Sequence, residues 1–300
     1  MPSSGVLVID KPAGPTSHDV VAVVRRALRV DRVGHTGTLD PLATGVLPLV
    51  LGRATRLASF MSGADKEYAA RIRFGATSAS YDAEQAGEAP ATARLPQDDG
   101  EVRALLPRFL GSYLQVPPPF SAKKVGGTPA YKLARRNLPV EMKAVPVTVR
   151  ELDLVRYGDG AADVRIVCSS GFYVRSFAHD LGTAAGCGAY LETLRRTRAG
   201  AFTVEDAVEL GAVVEGGDAL ARVVPLERLL PELPAATLTD AGLRRASHGN
   251  TLGSADFRLA ATAPDKAPGA PLRLLDGGGR LIGVAEWLAG GLLHPRVVLV

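Results

Sequence analysis

The segment of residues 66–74, KEYAARIRF, alternates between apolar and charged side chains, and this pattern constrains the fold more than any other stretch of the sequence. The predicted β-strand has an apolar face made of Tyr68, Ala70, Ile72 and Phe74. Its opposite face is basic and carries Arg71 and Arg73. Two further strand patterns, VTVRELDLVRY and ADVRIVCSS, follow one another directly. Because strict βαβ alternation is missing, the sequence predicts an α+β core on a mixed or antiparallel sheet.

Helical patterns occur between these strands. A helix is expected from about Ser17 to Arg29, because Thr16 and Asp19 have the spacing of a capping box and the apolar residues after them recur at helical intervals. Three further helices are predicted in EVRALLPRFLG, in PAYKLARR with Pro129 in its first turn, and in FYVRSFAHDLG. Strands are expected in GVLVID and VLPLVLG.

The length of 300 residues favours two domains, since one domain usually has roughly 100 to 200 residues. Three prolines in VPLERLLPELP mark a boundary, which divides the chain into residues 1–233 and 234–300. The second unit contains a predicted hairpin, LRLLDGGGRLIGVAEWL, and ends in PRVVLV. We therefore expect a small β-rich C-terminal domain.

The composition is that of a globular protein, with 46% hydrophobic and 22% charged residues. The two cysteines, Cys168 and Cys187, are too few for a disulfide framework and lack zinc-site spacing, so reduced thiols are expected. No apolar run approaches the roughly 18 residues that span a bilayer, and no signal-peptide pattern is present. The sequence predicts a cytoplasmic protein without membrane contact.

The net charge is +4, and the basic residues occur in short groups. These groups are Arg25 and Arg26, Arg53 and Arg56, Arg71 and Arg73, Lys123 and Lys124, Arg135 and Arg136, Arg195 with Arg196 and Arg198, and Arg244 and Arg245. Groups that share one face would bind nucleic-acid phosphates. The alternative is a set of unrelated solvated faces.

Common catalytic motifs are absent from the sequence. It contains no phosphate-binding P-loop, no dinucleotide fingerprint, no nucleophile elbow and no zinc helix. It also lacks the signature of a zinc deaminase. Its five histidines lie far apart along the chain. These observations argue against nucleotide hydrolysis, nicotinamide redox chemistry and metal-assisted hydrolysis.

The loop of residues 34–45, GHTGTLDPLATG, surrounds the single carboxylate Asp40 with three glycines and three threonines. Pro41 pushes Asp40 into an extended conformation, and the glycines allow a flat ligand to approach the backbone closely. The residues alone leave two interpretations open, in which Asp40 either braces a turn or reacts with a ligand.

Five blocks of the sequence resemble the TruB-type tRNA pseudouridine synthases in their order and spacing. The blocks are GVLVIDKPAGPTSHDVV, GHTGTLDPLATGVLPLVLGRAT, DKEYAARIRFG, SSGFYVRSFAHDLG and LRRTRAGAF. The tail is similar to the RNA-binding PUA domain of that family. The resemblance implies a pseudouridine synthase core with a PUA-like C-terminal domain. It also implies isomerisation of the T-loop uridine U55 of tRNA by base flipping, with no metal or organic cofactor.

The resemblance also implies roles for individual residues. Asp40 matches the catalytic aspartate, and Arg175 matches the arginine that orients it and keeps it ionised. Tyr68 and Tyr173 match tyrosines that stack on the flipped base, and Tyr68 is a candidate for removing its proton. The remaining pocket matches are His35 and Leu194 as substrate contacts and Lys11 as a support of the loop. A family insertion that grips RNA matches residues 76–145, with Lys123, Lys124, Arg135 and Arg136 as RNA contacts.

Several points stay open at the level of sequence. The carboxylate could attack C6 of the base or C1′ of the sugar, or assist a glycal-like route. Ala79 replaces an acidic residue found in many relatives, whereas Asp82 keeps the one that follows. A non-catalytic RNA chaperone and a base-excising hydrolase are alternative functions. A monomer is the expected oligomeric state.

Overall fold

A computed structural model of the protein describes residues 4–85, 87, 94–121, 123–125, 127–130, 133, 136, 141–216, 219–259 and 267–300. Its strands are β1 (Gly5–Lys11), β2 (Val33–His35), β3 (Thr44–Leu51), β4 (Lys66–Phe74), β5 (Gly111–Gln115), β6 (Lys124–Val125), β7 (Thr128–Pro129), β8 (Val145–Gly158), β9 (Ala161–Cys168), β10 (Ala189–Ala199), β11 (Phe202–Thr203), β12 (Val208–Glu209), β13 (Val224–Pro225), β14 (Ala235–Leu238), β15 (Phe257–Leu259), β16 (Pro271–Leu275), β17 (Leu281–Trp287) and β18 (Leu293–Val298). Its α-helices are α1 (Ser17–Leu28), α2 (Ala58–Ser62), α3 (Asp99–Leu105), α4 (Val174–Ala185), α5 (Leu210–Val214) and α6 (Asp240–Ser247).

The larger sheet runs in the order β12-β1-β3-β10-β4-β9-β8-β5, with β2, β11 and β13 attached at its sides. Strands β1 with β12 and β3 with β10 pair in parallel, whereas the other neighbours pair antiparallel. The predicted α+β class on a mixed sheet is therefore confirmed. Helix α4 packs against β10 and β4, so its N-terminus lies near the centre of the sheet.

The alternating strand at residues 66–74 forms as predicted. Tyr68, Ala70, Ile72 and Phe74 are buried in the main core. The strand lies between β9 and β10. The charge of its basic face is partly neutralised, because carboxylates on neighbouring strands pair with Arg71 and Arg73.

The predicted helix at the start of the chain is also confirmed. The side chain of Thr16 accepts a hydrogen bond from the backbone N–H of Asp19, and the Asp19 carboxylate accepts one from the Thr16 N–H, which completes the capping box. The helix ends at Leu28, one residue earlier than predicted, because Arg29 adopts a left-handed conformation with φ 52°. The capping box places Ser17 at the buried first turn, where it faces the loop that contains Asp40.

Strand β10 is a central element that the sequence patterns did not predict. It lies between β3 and β4, where both neighbours bury its side chains. Its sequence, AYLETLRRTRA, is rich in charged residues, and one inward position is occupied by Arg196. A polar residue at a core position hides the apolar alternation on which strand prediction depends.

A second, five-stranded sheet forms the C-terminal part in the order β15-β14-β16-β17-β18. Strands β16 and β17 form the predicted antiparallel hairpin around the glycine-rich turn. The β-rich C-terminal unit is thus confirmed. The boundary at residue 234 stays a prediction, which agrees with the first sheet ending at Pro225 and the second beginning at Ala235. Val6 and Val8 of β1 pack in one apolar cluster with Val284 of β17.

Two helix predictions had a different outcome. The EVRALLPRFLG pattern forms α3 and then a 3-10 turn over Leu106–Phe109 that contains Pro107. Half of the residues of the helix predicted in PAYKLARR lie outside the described residues; Ala130 and Leu133 are helical, whereas Pro129 belongs to β7, where it pairs with Lys124. None of the helices in the described part of the chain is long and apolar enough to cross a membrane.

Candidate active site

A cavity of about 300 Å³ opens where β4, β10 and the loop of residues 36–40 meet the N-terminus of α4. Five of the predicted site residues line this cavity, namely Asp40, Tyr68, Tyr173, Arg175 and Leu194. They come from four separate parts of the chain, and the sheet brings them together. Apolar walls and a few polar groups in one concave site are typical of a site for a small organic group.

Asp40 and Arg175 form a paired contact inside the cavity. Arg175 Nε donates to Asp40 Oδ2 at 2.8 Å, and Arg175 Nη2 donates to Asp40 Oδ1 at 3.1 Å. The arginine side chain is 4% exposed, whereas the aspartate side chain is 33% exposed. Two parallel charge-assisted bonds fix both the position and the orientation of the carboxylate. Arg175 thus holds Asp40 at the cavity surface with part of the carboxylate accessible.

The turn around Asp40 is stabilised by its backbone. The carbonyl oxygen of Asp40 accepts a hydrogen bond from the N–H of Ala43 at 3.1 Å. Among the hydrogen bonds of the described residues, none joins the Asp40 carboxylate to a backbone N–H. The interpretation of this side chain as a turn brace therefore finds no support in the geometry.

Buried groups of the surrounding chain hold Arg175 in place. Its Nη1 donates to the carbonyl oxygen of Ser80 at 3.0 Å, and its Nη2 donates to that of Phe120 at 2.9 Å. The carboxylate of Asp82 lies 3.6 Å from Nη1 and accepts a hydrogen bond from the hydroxyl of Ser80. Ser80, Asp82 and Phe120 lie within residues 76–145, the segment predicted to be an RNA-gripping insertion, so this segment helps to build the site.

Two side chains from distant elements shape the segment of residues 36–43, hereafter the Asp40 loop. The hydroxyl of Ser17 donates to the carbonyl oxygen of Leu39 and accepts from the N–H of the same residue. Lys11 Nζ donates to the carbonyl oxygens of Pro12, Pro41 and Ala43 at 2.7 to 3.2 Å. These contacts fix the backbone on either side of Asp40. The structure places Lys11 beneath the loop, where it does not line the cavity.

The two buried lysines near the site are easily deprotonated. Burial lowers the pKa of Lys11 to about 8, against an opposing effect of Asp40. Burial likewise lowers the pKa of Lys66 to about 8, and the charge of Arg196 lowers it further. Lys66 lines the cavity and donates to the carbonyl oxygens of Ser62 and Ala64 at 2.5 and 2.6 Å.

The two tyrosines of the cavity belong to different secondary-structure elements. Tyr68 projects from β4 and is buried, which raises the pKa of its phenol. Tyr173 is the N-cap residue of α4, and burial raises its pKa as well. The amide of Gln115 binds the Tyr173 backbone in both directions, accepting from its N–H at 2.8 Å and donating to its carbonyl at 3.1 Å. Leu194 lies on β10 as a buried part of the cavity wall.

His35 lies beside the cavity, while the next residue, Thr36, lines it. Its ring stands edge-on to that of His18, with centroids 5.4 Å apart. Burial lowers the pKa of His35, and the positive charges of His18 and Arg196 lower it further. His35 Nδ1 is buried without a hydrogen-bond partner among the described residues. Substrate contact by His35 stays a prediction.

The predicted RNA contacts of the insertion are only partly described. Lys123 is half-buried and Arg136 is exposed. Lys124 begins β6, and Arg135 lies outside the described residues. Their contact with RNA stays a prediction. Ala79 stands next to Ser80, which holds Arg175 through its carbonyl, so the departure at this position leaves that contact in place.

The basic groups of the sequence divide into two kinds. On the larger sheet, Arg71, Arg73, Arg195 and Arg198 each pair with a carboxylate, so they do not offer free charge to phosphates. A groove near the end of the chain is different and is lined by Arg29, Arg32, Arg53 and Arg56. None of these four arginines lies within ion-pair distance of a carboxylate of the described residues, judged by the pairs found there. A phosphate-binding face shared by several of the basic groups stays a prediction.

Sequence reasoning missed several residues of the site. Ser17, Lys66, Gln115 and Arg196 were not predicted to shape it, although Arg196 appeared in a basic group. Local patterns carry little signal for Ser17, Gln115 and Arg196, because their partners are backbone groups far along the chain, and Lys66 bonds to nearby carbonyl oxygens that no sequence motif marks. No group of three or more potential metal-ligating side chains occurs in the described portion of the chain.

Comparison with known proteins identifies the family. Residues 25–174 match the N-terminal domain of the TruB family pseudouridylate synthases, and residues 175–230 match the tRNA pseudouridylate synthase B C-terminal domain. The chain is 41% identical over 297 residues to the tRNA pseudouridine synthase B of Burkholderia pseudomallei (strain 668), covering 98% of this chain and 97% of that protein. It is 42% identical over 302 residues to that of Solibacter usitatus (strain Ellin6076), covering 98% and 99%.

A solved structure agrees with this relationship. The archaeal box H/ACA sRNP Nop10-Cbf5 complex contains a chain that superimposes with a TM-score of 0.74 at 25% identity. The superposition covers 99% of this chain and 86% of the other. The match therefore includes both sheets and the residues that line the cavity. From the matched domains and the full-length relatives, the chain belongs to the TruB family of pseudouridine synthases.

Proposed function

We propose that the chain converts a uridine of the tRNA T-loop, U55, into pseudouridine, with Asp40 as the nucleophile. Family membership supports the general reaction, the isomerisation of a uridine in tRNA. The observation that carries the specific proposal is the bidentate contact between Asp40 and Arg175 at the surface of a tyrosine-lined cavity. Both aspartate oxygens accept hydrogen bonds from the guanidinium of Arg175, which fixes the carboxyl group at the cavity surface.

The cavity supports action on an extruded nucleotide. A uridine stacked in a folded loop is not accessible, so the enzyme has to flip it outward at a cost of a few kcal/mol. The cavity volume of about 300 Å³ is at the lower end of the range for small organic ligands. Tyr68 and Tyr173 would contact the faces of the base, and such stacking contributes about 1 to 3 kcal/mol.

Reaction within the cavity requires cleavage of the glycosidic bond, rotation of the base and formation of the carbon–carbon bond. Asp40 would supply the nucleophile or stabilise the sugar cation, and Arg175 would keep it oriented. Tyr68 would then take part in removing the proton from C5 of the rotated base. Attack at C6, attack at C1′ and a glycal route are all compatible with the position of Asp40.

The arginine groove supports a tRNA substrate. Arg29, Arg32, Arg53 and Arg56 form no ion pair with a carboxylate of the described residues, in contrast to the arginines paired on the sheet, and Arg53 and Arg56 each donate one hydrogen bond to a backbone carbonyl oxygen. Their binding to the tRNA backbone would weaken steeply with salt. The C-terminal sheet would act as a PUA-like RNA-binding domain. The proposal places the protein in the cytoplasm, where tRNA is modified, and as a monomer.

The decisive experiment compares the wild-type protein with Asp40→Asn on an unmodified tRNA transcript. Carbodiimide treatment and primer extension map pseudouridine at single-nucleotide resolution. We expect a modified T-loop uridine with the wild type and none with Asp40→Asn, while tRNA affinity stays within about twofold. Asp153→Asn, a change of an exposed aspartate on β8, is the control and should keep full activity.

The two alternative functions give different results in the same experiment. An RNA chaperone would leave the transcript unmodified with either protein and would still refold tRNA after Asp40→Asn. A base-excising hydrolase would release free uracil, which chromatography detects. Either result would refute the proposed isomerisation.

A further inference from the structure

Arg196 is a buried cation whose hydrogen bonds go to backbone carbonyl oxygens on both sides of Asp40. Its Nη2 donates to Gly37 at 3.1 Å and its Nη1 to Thr38 at 3.4 Å, before Asp40 in the chain. Its Nε donates to Val46 at 2.7 Å, after it. The residue is 1% exposed, and its side chain forms part of the cavity wall. One guanidinium therefore connects the two ends of the segment that presents Asp40.

The backbone of Arg196 reinforces this connection. Strands β10 and β3 pair in parallel, with Arg196 opposite Gly45. A Cβ atom at Gly45 would lie 2.2 Å from the carbonyl oxygen of Arg196, and Gly45 has φ +97°, so the approach requires glycine. The backbones of β10 and of β3, directly after the Asp40 loop, thus approach each other closely.

Arg196 also faces Tyr68, the second predicted functional group of the cavity. The two residues are directly opposite each other on the antiparallel strands β10 and β4. Cross-strand partners have Cβ atoms about 5 Å apart, so their side chains contact on the buried face. Burial raises the pKa of the Tyr68 phenol, and the charge of Arg196 opposes that rise. Arg196 therefore connects Tyr68 to the Asp40 loop.

The guanidinium of Arg196 makes no direct ion pair with a carboxylate in the described part of the chain. Among the ion pairs of the described residues, none includes Arg196, whereas the adjacent Arg195 pairs with Asp10 on the opposite face of the strand. A buried unpaired charge costs free energy, and an apolar side chain of similar volume would fill the same space at a lower cost. The presence of arginine at this position is explained if the reaction needs the geometry that the N–H donors of its guanidinium impose on the surrounding backbone.

We propose that Arg196 is a positioning residue for pseudouridine formation, which holds the Asp40 loop and Tyr68 in a fixed arrangement around the flipped base. The inference rests on the proposed function. Arg196 would not bind or react with the base itself. Because a displacement of about 1 Å of a reacting group lowers a rate about 100-fold, loss of this connection should reduce kcat far more than substrate binding.

The experiment measures pseudouridine formation by Arg196→Met and Arg196→Lys at saturating and limiting tRNA. We expect kcat to fall about 100-fold or more for Arg196→Met, with KM within about threefold. The kcat of Arg196→Lys should be at least about tenfold higher than that of Arg196→Met. The lysine ammonium keeps the positive charge, but it replaces the several N–H donors of the guanidinium by one donor group. A defect of folding would also lower the apparent kcat at unchanged KM, because fewer molecules are active, so each rate is normalised to the folded fraction of that variant.

The neighbouring Arg195 offers a matched control. Its side chain is 42% exposed on the other face of the same strand and pairs with Asp10, so Arg195→Met should keep kcat within about threefold. Circular dichroism and thermal unfolding establish that each variant is folded. If Arg196→Met does not fold, Arg196→Lys decides the question, with an expected loss in kcat of about tenfold at unchanged KM.

Three outcomes would overturn the inference. They are full kcat in a folded Arg196→Met or Arg196→Lys variant, an increase in KM that accounts for the whole defect, and an equal loss in Arg195→Met. Failure of the proposed function is a separate result. In that case the wild-type protein itself forms no pseudouridine, whereas an active wild type with a fully active Arg196→Met variant refutes only the role of Arg196.

Discussion

Replacing Lys11 with methionine should remove a characteristic increase in stability at alkaline pH. The wild-type ammonium is fully buried and donates to three carbonyl oxygens around the Asp40 loop. Its pKa is about 8 in the folded protein, compared with the ordinary lysine value of 10.5 that applies to the unfolded chain. Between these two values the folded protein has released the proton while the unfolded chain still binds it. The free energy of unfolding therefore rises with pH between about 8 and 10.5, and it falls again when the pH is lowered through the same range.

The size of this effect follows from the two pKa values. A lowering from 10.5 to about 8 corresponds to about 3 kcal/mol, of which about 2 to 3 kcal/mol should develop between pH 7 and pH 10. Methionine cannot titrate, so the variant lacks this contribution. At any single pH the variant also leaves three carbonyl oxygens without their donor, which destabilises it. The slope of the stability difference against pH, rather than its value at neutral pH, is the diagnostic quantity.

Urea unfolding of the wild type and Lys11→Met at pH 7, 8, 9 and 10 measures this slope. Other titrating groups act equally in both proteins, so their effects cancel in the difference. Lys66→Met should show a similar slope, because burial lowers the pKa of Lys66 to about 8 as well. Lys143→Met changes an exposed lysine and should show none. A stability difference that stays constant over this range for Lys11→Met would refute the reasoning, since the ammonium would then titrate as in the unfolded chain.

Three further predictions concern the geometry of the site and its supports. Arg175→Lys should lower turnover about 100- to 1,000-fold at unchanged tRNA affinity, because lysine cannot form two parallel bonds to Asp40; single-turnover kinetics that match the wild type would contradict this. Gly45→Ala should lower the free energy of unfolding by at least about 2 kcal/mol more than Gly14→Ala, which has a similar φ but open space around its Cβ; equal urea midpoints would argue against the close approach. Thr16→Ala should cost about 1 kcal/mol by removing the capping box, and an unchanged thermal midpoint would show that the cap is not needed.

Local features of the site could be predicted from the sequence because they depend on neighbouring residues. The capping box of Thr16 and Asp19 and the alternation around Tyr68 are short-range patterns, and both elements form as expected. The Asp40 loop was recognisable from its glycines and from the proline that follows the aspartate. Its match to a known family then predicted Arg175 as the partner of Asp40, and the structure brings these two side chains together.

Only the tertiary structure decided which charges are buried and which are available. Arg71 and Arg196 look alike in the sequence, yet one pairs with carboxylates on an open sheet face and the other binds carbonyl oxygens beneath the active site. The Asp40–Arg175 contact spans 135 positions, and the contacts of Arg196 with the loop span 150 or more. The local sequence determines backbone preferences over a few residues. Strand order and register determine which distant groups meet, and this is why the role of strand β10 emerged only from the folded chain.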